Sequence, residues 1–143
     1  MTLKSIIATL GLGLTLGTAA PVFADQSKVF ECVYTQKPNR GPVPATFTLT
    51  IKQDEQFALI EDVFTRQLHS YPVRARLSQL SKTKWRVKWQ LVGLDYQGTE
   101  SKVSGGIVDY SLSLNVLTGR FVMNGTTREY FPTVHGNGRC IPA

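Results

Sequence analysis

The 143-residue chain has few of the residues from which catalytic and metal sites are usually built, since it contains two cysteines and two histidines. It lacks a Cys-x-x-Cys pair, a His-x-x-x-His pair and an Asp-x-Asp-x-Asp loop, so no metal site is predicted. It also lacks the Gly-x-Ser-x-Gly elbow of serine hydrolases, and neither His69 nor His135 stands in a catalytic motif. We therefore predict no catalytic residue, no cofactor and no enzymatic activity.

The carboxylates do not form an obvious acid–base pair either. Glu61 and Asp62 are adjacent in a segment, residues 57–65, that we predict to be a strand, with a helical turn through 57–67 as the alternative. Adjacent side chains of a regular strand point to opposite faces, which is a poor geometry for glycoside hydrolysis. One of the two would then face the core, unless a bulge or the end of the strand lies there.

The first 24 residues predict a secretory signal peptide. Lys4 lies in a short charged segment, an uncharged run follows, and Val22 and Ala24 occupy the small-residue positions before a cleavage site. A retained anchor is the alternative, because the 20 uncharged residues 5–24 could just span a bilayer, although three glycines and Pro21 weaken that interpretation. Cleavage would leave residues 25–143 as a single all-β domain, periplasmic or secreted, with no transmembrane span.

Cys32 and Cys140 lie near the two ends of this predicted mature chain. An even number of cysteines in an exported chain favours a disulfide, and two cysteines allow one intramolecular pairing. Two free thiols or a shared metal ion are the alternatives. The disulfide would join the first and last strands and, by closing a loop of about 109 residues, would stabilise the fold by about 4.7 kcal/mol in the chain-entropy model.

Short apolar-alternating runs, about eight in number, predict an all-β fold, and no segment has the pattern of a convincing amphipathic helix. Residues 45–52 alternate most regularly, with Phe47, Leu49 and Ile51 on one face. We expect a single small antiparallel β-barrel, because pairing the first strand with the last removes exposed edges. A two-sheet sandwich is the alternative.

Turn chemistry predicts where the strands end. Residues 37–44 hold three prolines and a glycine and predict a loop, and the glycine-containing residues 96–106 predict a second long loop. Asn124-Gly125, between two alternating runs, predicts a type I′ hairpin turn. Residues 132–138, which include His-Gly-Asn-Gly, predict a last loop before the C-terminal strand.

The clearest pattern is in residues 82–91, where cations alternate with Trp85, Val87, Trp89 and Leu91. Residues 71–80 repeat the pattern, and pairing the two runs across a three-residue loop sets Arg76 opposite Lys88. The tryptophans then face the core, which argues against a stacking platform for an oligonucleotide. The outward side predicts an anion-binding face formed by Arg74, Arg76, Lys84, Arg86 and Lys88.

The charge of the chain suggests what such a face would bind. The formal net charge is +6, or +5 once Lys4 of the leader is left out, so the natural partners are anions. In an exported protein these are an anionic envelope component or an acidic protein before they are nucleic acid. The alternative is that the cations only keep the sheet soluble and protect it from edge pairing. The oligomeric state is left open.

Phe30-Glu-Cys32 at the start of the mature chain, a series of short strands and Gly138-Arg-Cys140 at its end resemble small bacterial periplasmic β-proteins that have no assigned activity. The same outline is similar to the periplasmic inhibitors of C-type lysozyme, small disulfide-bearing barrels that insert a Ser-Gly-x-x-Tyr-type loop into the lysozyme cleft. The nearest match here is Ser104-Gly-Gly with Tyr110, in which the tyrosine stands too far along. A positively charged domain would also repel a basic lysozyme.

Three functions follow as hypotheses. The first is an exported, non-enzymatic binding or envelope-associated module that engages an anionic surface through the basic strand face. The second, implied by the resemblance, is an inhibitor of a cell-wall-degrading enzyme that acts through residues 98–106. The third is a carrier of a small apolar ligand, which requires a cavity in the barrel.

Overall fold

The computed structural model describes residues 27–54, 56–98, 100–128 and 133–143. Within them the chain forms eight antiparallel strands that close into a barrel, each strand pairing with its neighbours in sequence and the first with the last. No helix in these ranges is long and apolar enough to cross a membrane. The elements are β1 (Ser27–Gln36), β2 (Thr46–Lys52), β3 (Phe57–Glu61), α1 (Val63–Leu68), β4 (Val73–Gln79), β5 (Lys84–Gln97), β6 (Lys102–Asn115), β7 (Arg120–Thr127) and β8 (Val134–Pro142).

The predicted barrel and its predicted disulfide are both confirmed. Cys32 of β1 and Cys140 of β8 are directly opposed in register, with their Cα atoms 4.0 Å apart and 108 positions apart in sequence. The disulfide therefore joins the terminal strands at the seam where the barrel closes. A two-sheet sandwich would leave those strands as edges, whereas the closed barrel has none.

Side chains fill the interior of the barrel. Alternation along β5 buries Trp85, Val87, Trp89 and Leu91, as the sequence pattern predicts. Next to the disulfide, the rings of Tyr34, Phe47 and Phe121 pack together, with centroids 5.0 to 5.6 Å apart. An eight-stranded barrel is just wide enough to be filled in this way.

The two ends of the barrel are built differently. At one end the connections 53–56, 80–83 and 116–119 are four residues each, and we call it the short-turn end. At the other end the connections are 37–45, 62–72, 98–101 and 128–133, and we call it the loop end. Helix α1 lies in the second of these loops, so the irregular chain that the structure describes is concentrated at the loop end.

The segment predicted as one strand over 57–65 is divided at its two carboxylates. Strand β3 ends at Glu61, and Asp62 is the N-cap of α1, accepting hydrogen bonds from the amides of Phe64 (2.8 Å) and Thr65 (2.7 Å). The backbone amide of Asp62 donates in return to the Thr65 hydroxyl at 2.8 Å. The predicted strand is therefore wrong beyond Glu61, because a capping box starts a helical turn there.

The predicted hairpin turn at Asn124-Gly125 is wrong, since both residues lie inside β7. Gly125 faces the interior, where it pairs with Val134 and Tyr110 on the two neighbouring strands. A Cβ atom at this position would come within 2.8 Å of the Val134 side chain and 3.5 Å of the Tyr110 ring. The glycine thus makes room for its neighbours and does not turn the backbone.

The predicted loop over residues 132–138 is wrong from Val134 onward, and for the same physical reason. Residue 132 lies outside the described ranges, but β8 begins at Val134, so the His-Gly-Asn-Gly run is a strand. A Cβ at Gly136 would come within 2.7 Å of the Tyr34 ring, and one at Gly138 would overlap the Val33 backbone carbonyl and come within 2.8 Å of the Phe121 ring. The glycines make room for the aromatic cluster beside the disulfide.

The predicted long loop over residues 96–106 is also wrong, because β5 continues to Gln97 and β6 begins at Lys102. The hairpin is irregular, and Gly105 adopts a positive φ of 68° at a shift in register. The Asp95 carboxylate accepts hydrogen bonds from the Ser104 hydroxyl (3.2 Å) and the Gly105 amide (2.9 Å). A glycine of this kind marks a bulge within a strand.

Candidate functional site

The five predicted anion-binding residues lie together on the outer side of two neighbouring strands. The predicted register is confirmed, since Arg76 of β4 is opposite Lys88 of β5 and Leu77 is opposite Val87. Four of the five side chains are exposed and Arg86 is half-buried. We call this surface the basic face: Arg74, Arg76, Lys84, Arg86 and Lys88.

The strands on either side of the basic face contribute no carboxylate to its rows. On the β3 side, Arg76 is next to Phe57, and the Arg74 guanidinium lies 3.9 Å above the centre of the same ring. On the β6 side the neighbours are uncharged: Lys84 pairs with Asn115, Arg86 with Ser113 and Lys88 with Ser111. Each cation of the face therefore has apolar, hydroxyl, amide or cationic neighbours along its row.

The nearest carboxylates on these flanking strands are paired with other groups. Glu61 of β3 forms an ion pair with Arg66 of α1 at 3.2 Å. Asp109 of β6 accepts a hydrogen bond from Gln90 at 2.6 Å and forms an ion pair with Arg128 at 3.5 Å. Across the described ranges, no residue of the basic face takes part in a salt bridge.

The tryptophans between these cations belong to the core. Trp85 and Trp89 are both buried, and the Trp89 ring stacks on Tyr110 with centroids 4.9 Å apart and planes 13° from parallel. They support the strand from the inside and do not contact the outer face. The chemistry available on the outside is therefore that of guanidinium and ammonium groups, with hydroxyl and amide groups beside them.

A buried polar cluster lies beneath the loop end. The Tyr110 hydroxyl donates a hydrogen bond to the Pro42 carbonyl at 2.7 Å, which fixes the loop 37–45 over the barrel. Burial raises the pKa of Tyr110 and of Tyr34, and the Asp62 charge adds to both shifts. Burial also raises the pKa of Asp62, against the lowering effect of its hydrogen bonds from Thr65 and Phe64. Both tyrosines therefore remain protonated at neutral pH.

The loop end also has an open pocket of about 730 Å³ that the sequence reasoning missed. Its apolar walls come from the proline-rich loop and from neighbouring strands, and include Pro38, Pro42 and Val134. His135 lies on its rim, where its Nδ1 atom is 2.5 Å from the Asn124 side-chain oxygen. The sequence signal that could have indicated this pocket is the proline-rich loop, since proline fixes φ and makes a loop rigid.

The residues that resemble the lysozyme-inhibitor loop do not form a loop in this structure. Tyr110, the tyrosine in the nearest match to the lysozyme-inhibitor loop, is buried in the core, and Ser104 and Gly105 lie on β6 and not on a protruding loop. In the described part of the chain, no three His, Cys, Asp or Glu side chains cluster in a way that could hold a metal ion.

Comparison with known proteins finds no matching family model, no matching curated protein and no matching solved structure.

Proposed function

We propose that this protein is an exported, non-enzymatic binding module that engages an anionic surface through its basic face. The observation that carries the proposal is the opposition of Arg76 and Lys88 in register, with Phe57 and Ser111 as their outer neighbours. Directly opposed like charges on neighbouring strands destabilise a sheet by about 0.2–1 kcal/mol per pair. An anion bound between them turns that repulsion into attraction.

A purely solubilising role explains the basic face less well. Surfaces that serve solubility mix charges of both signs, which avoids repulsion within the sheet. Here Glu61 and Asp109, the carboxylates of the flanking strands, pair with Arg66 and Arg128, and the five cations of the face are left together. The arrangement therefore favours a partner that supplies the negative charge.

The chemistry of the face suits a surface with repeated phosphate or carboxylate groups. Arginine forms paired hydrogen bonds with such groups, and lysine acts as a point charge. Alternate residues of a strand are about 6.8 Å apart and neighbouring strands about 4.8 Å apart, so the cations form a regular open array on the outside of the barrel and not a closed pocket. The intramolecular disulfide is compatible with export, and a periplasmic or secreted location forms part of the proposal.

The test is binding of residues 25–143 to anionic vesicles and to an acidic polysaccharide, measured by sedimentation. At about 0.1 M salt the Debye length is ~10 Å and at about 1 M it is ~3 Å, so we expect binding at the first concentration and its loss at the second. Each basic residue near an anionic membrane contributes about 1 kcal/mol, so the double variant Arg76→Gln/Lys88→Gln should bind roughly 30-fold more weakly.

The matched control is Lys37→Gln/Lys102→Gln, which removes the same charge from exposed positions at the loop end. Its affinity should stay close to that of the wild type. The proposal is contradicted if the wild type binds neither anion at low salt, or if the two double variants lose affinity equally.

Side chains fill the interior of the barrel, where a carrier of a small apolar ligand was expected to have its cavity. The open loop-end pocket nevertheless supports carriage of such a ligand at the mouth of the barrel as a second candidate function. Val134 lines the pocket, so a lysine at this position would place a charge against its apolar wall. We expect a neutral naphthylamine dye to become fluorescent with the wild type and with the control Val33→Lys on the outside of β1, but not with Val134→Lys. Absence of dye binding by the wild type would remove this candidate.

A further inference from the structure

The turn between β6 and β7 contains an exposed leucine. Leu117 is 79% exposed. Its backbone is fixed, because the Asn115 side chain accepts hydrogen bonds from the amides of Leu117 (3.0 Å) and Thr118 (3.1 Å), and Gly119 adopts a φ of 73°. These contacts involve the backbone of Leu117 and not its side chain. The turn therefore does not require an apolar residue at this position.

A second exposed leucine lies on the neighbouring turn. Leu80 is 47% exposed and belongs to the connection 80–83 between β4 and β5. The two turns are in contact, since the Val116 amide donates to the Thr83 carbonyl at 2.8 Å. The barrel thus has two exposed leucines on adjacent turns of one end. A single exposed leucine is common on protein surfaces and needs no explanation, but two on turns in contact form a feature that can be tested.

Cations flank these leucines on both sides. Lys82 and Lys84 lie on the β4–β5 hairpin, and on the other side Arg120 of β7 is directly opposite Arg139 of β8. In the ranges that the structure describes, none of these four residues forms a salt bridge, and the acidic residues toward this end are Asp54 on the β2–β3 turn and Glu31 of β1, which is opposite Ile141. Arg120 and Arg139 are a second pair of opposed like charges.

We propose that the short-turn end docks on an anionic lipid bilayer, with Leu117 and Leu80 entering the headgroup region and Lys82, Lys84, Arg120 and Arg139 contacting lipid phosphates. Apolar side chains enter the boundary between headgroups and acyl chains, and basic residues around them add attraction to anionic lipids. An acidic polysaccharide would use the cations alone. Exposed leucines on short turns at the end of the barrel suit a partner that apolar side chains can enter, as the headgroup region of a bilayer is.

This inference rests on the proposed function and names its partner. Lys84 belongs both to the basic face and to the short-turn end, so the two cationic surfaces are continuous. The turn 80–83 connects β4 and β5, so a bilayer that contacts this turn would be close to the end of the basic face that contains Lys84. Vesicle binding by this route requires the leucines as well as the charges, which separates the inference from the proposed function.

The experiment places an environment-sensitive fluorophore at one of two exposed apolar positions of residues 25–143. The variant Leu117→Cys tests the short-turn end, and Val63→Cys is the control, since Val63 is 62% exposed on α1 at the loop end. Labelling with the nitrobenzoxadiazole dye under non-reducing conditions keeps Cys32 and Cys140 paired. The probes are vesicles of phosphatidylglycerol with phosphatidylcholine, vesicles of phosphatidylcholine alone, and an acidic polysaccharide.

With anionic vesicles we expect a blue shift and a rise in emission at position 117 and no change at position 63. Phosphatidylcholine alone should change neither. In sedimentation, Leu117→Ser should bind anionic vesicles roughly tenfold more weakly, as expected for removing a leucine from an apolar environment, while Val63→Ser should match the wild type. The thermal unfolding midpoint of each variant shows that it is folded.

Other outcomes overturn the inference in distinguishable ways. Salt-dependent vesicle binding that is unaffected by Leu117→Ser, with unchanged emission at position 117, would contradict docking through the leucines and leave the proposed function standing. Binding to the polysaccharide without binding to anionic vesicles would do the same and identify the other partner class. Binding to neither anion would remove the proposed function as well.

Discussion

The same eight strands run between the two ends of the barrel, but the ends differ in which groups are buried and which are exposed. At the loop end polar groups are buried: Asp62 is 4% exposed, and the Tyr110 hydroxyl is bonded to the loop above it. Exposed apolar side chains occur at both ends, as Val63 and Tyr71 at the loop end show, but at the short-turn end they are two leucines on adjacent tight turns flanked by cations. The loop end therefore contributes to stability, while the short-turn end and the adjoining basic face present groups that folding does not require.

The distribution of charge follows the same division. Among the described residues, the acids Glu61, Asp62, Asp95 and Glu100 lie at the loop end, together with the cations Lys37, Arg40, Arg66, Lys102 and Arg128. Among the same residues, the acids Asp54 and Glu31 lie toward the short-turn end, together with the cations Lys28, Lys52, Lys82, Lys84, Arg120 and Arg139. A net positive charge at one end of a protein favours the approach of that end to anions before contact.

The largest expected effect on stability comes from the disulfide between β1 and β8, the two strands whose pairing closes the barrel. Reducing the Cys32–Cys140 disulfide, which spans 108 positions, should lower the free energy of unfolding by about 4–5 kcal/mol, as the chain-entropy relation gives for a loop of this length. Urea unfolding of the oxidised and reduced chain measures this difference. The variant Cys32→Ala/Cys140→Ala should resemble the reduced chain, and a loss below about 1 kcal/mol would contradict the entropic account.

At the loop end, the cap of α1 should be the next largest contributor. Asp62→Ala leaves the amides of Phe64 and Thr65 without their acceptor and should lower the free energy of unfolding by about 1–2 kcal/mol. Glu100→Ala, a loss of one exposed carboxylate at the same end, is the control and should change it by less than about 0.5 kcal/mol. Equal stability of the two variants would show that the cap does not matter.

The same carboxylate should make stability depend on pH. Because burial raises its pKa in the folded state, ionising Asp62 costs more in the folded protein than in the unfolded chain. Its contribution to the free energy of unfolding therefore falls as pH rises from the ordinary aspartate pKa of about 4 through the raised folded value. Asp62→Asn keeps the cap and lacks this dependence, so its advantage over the wild type should grow with pH. A difference that stays constant with pH would contradict a raised pKa of Asp62 in the folded protein.

A smaller effect is expected where the loop 37–45 is tied to the barrel. Tyr110→Phe removes the hydrogen bond to the Pro42 carbonyl and should cost about 1 kcal/mol, with faster hydrogen exchange at Gly41 and Val43. Tyr71→Phe, at a tyrosine that is 66% exposed, is the control and should change neither quantity. Unchanged exchange in the Tyr110 variant would show that other contacts hold the loop.

The smallest effect on stability should come from the short-turn end. Leu117→Ser and Arg120→Gln alter exposed side chains, so each should change the free energy of unfolding by less than about 0.5 kcal/mol. Thermal or urea unfolding checks this directly. A loss above about 1 kcal/mol would mean that these residues serve the fold, and the contrast between the two ends would no longer hold.

The regular strands and the positions of the residues in the basic face could be predicted from the sequence, because both follow from alternation with a period of two. The pattern around Trp85 and Trp89 predicted which side of β5 is buried, and a three-residue loop was enough to set Arg76 opposite Lys88. The disulfide was predicted from the expected export of the chain and from the presence of two cysteines. The strand and register predictions rely on local spacing, whereas the disulfide prediction does not.

One error, the strand predicted beyond Glu61, missed the capping box between Asp62 and Thr65. The other three errors come from glycines that are required by residues far away in the sequence. Gly125 makes room for Val134 and Tyr110, and Gly136 makes room for Tyr34, but a short sequence window shows only residues that favour turns. Gly105 stands at a bulge that the Asp95 carboxylate stabilises from the paired strand. Such positions are recognised once the register is known, and the register itself depends on the closed barrel.

The most direct test of the contrast between the two ends is an NMR titration of residues 25–143 with a short soluble polyanion, such as a heparin oligosaccharide. We expect the largest amide shifts on β4 and β5 around Arg76 and Lys88 and on the turn 80–83, weakening as salt is added. Shifts centred on the loop end, around Lys37 and Arg40, would contradict the account, as would an absence of shifts at low salt.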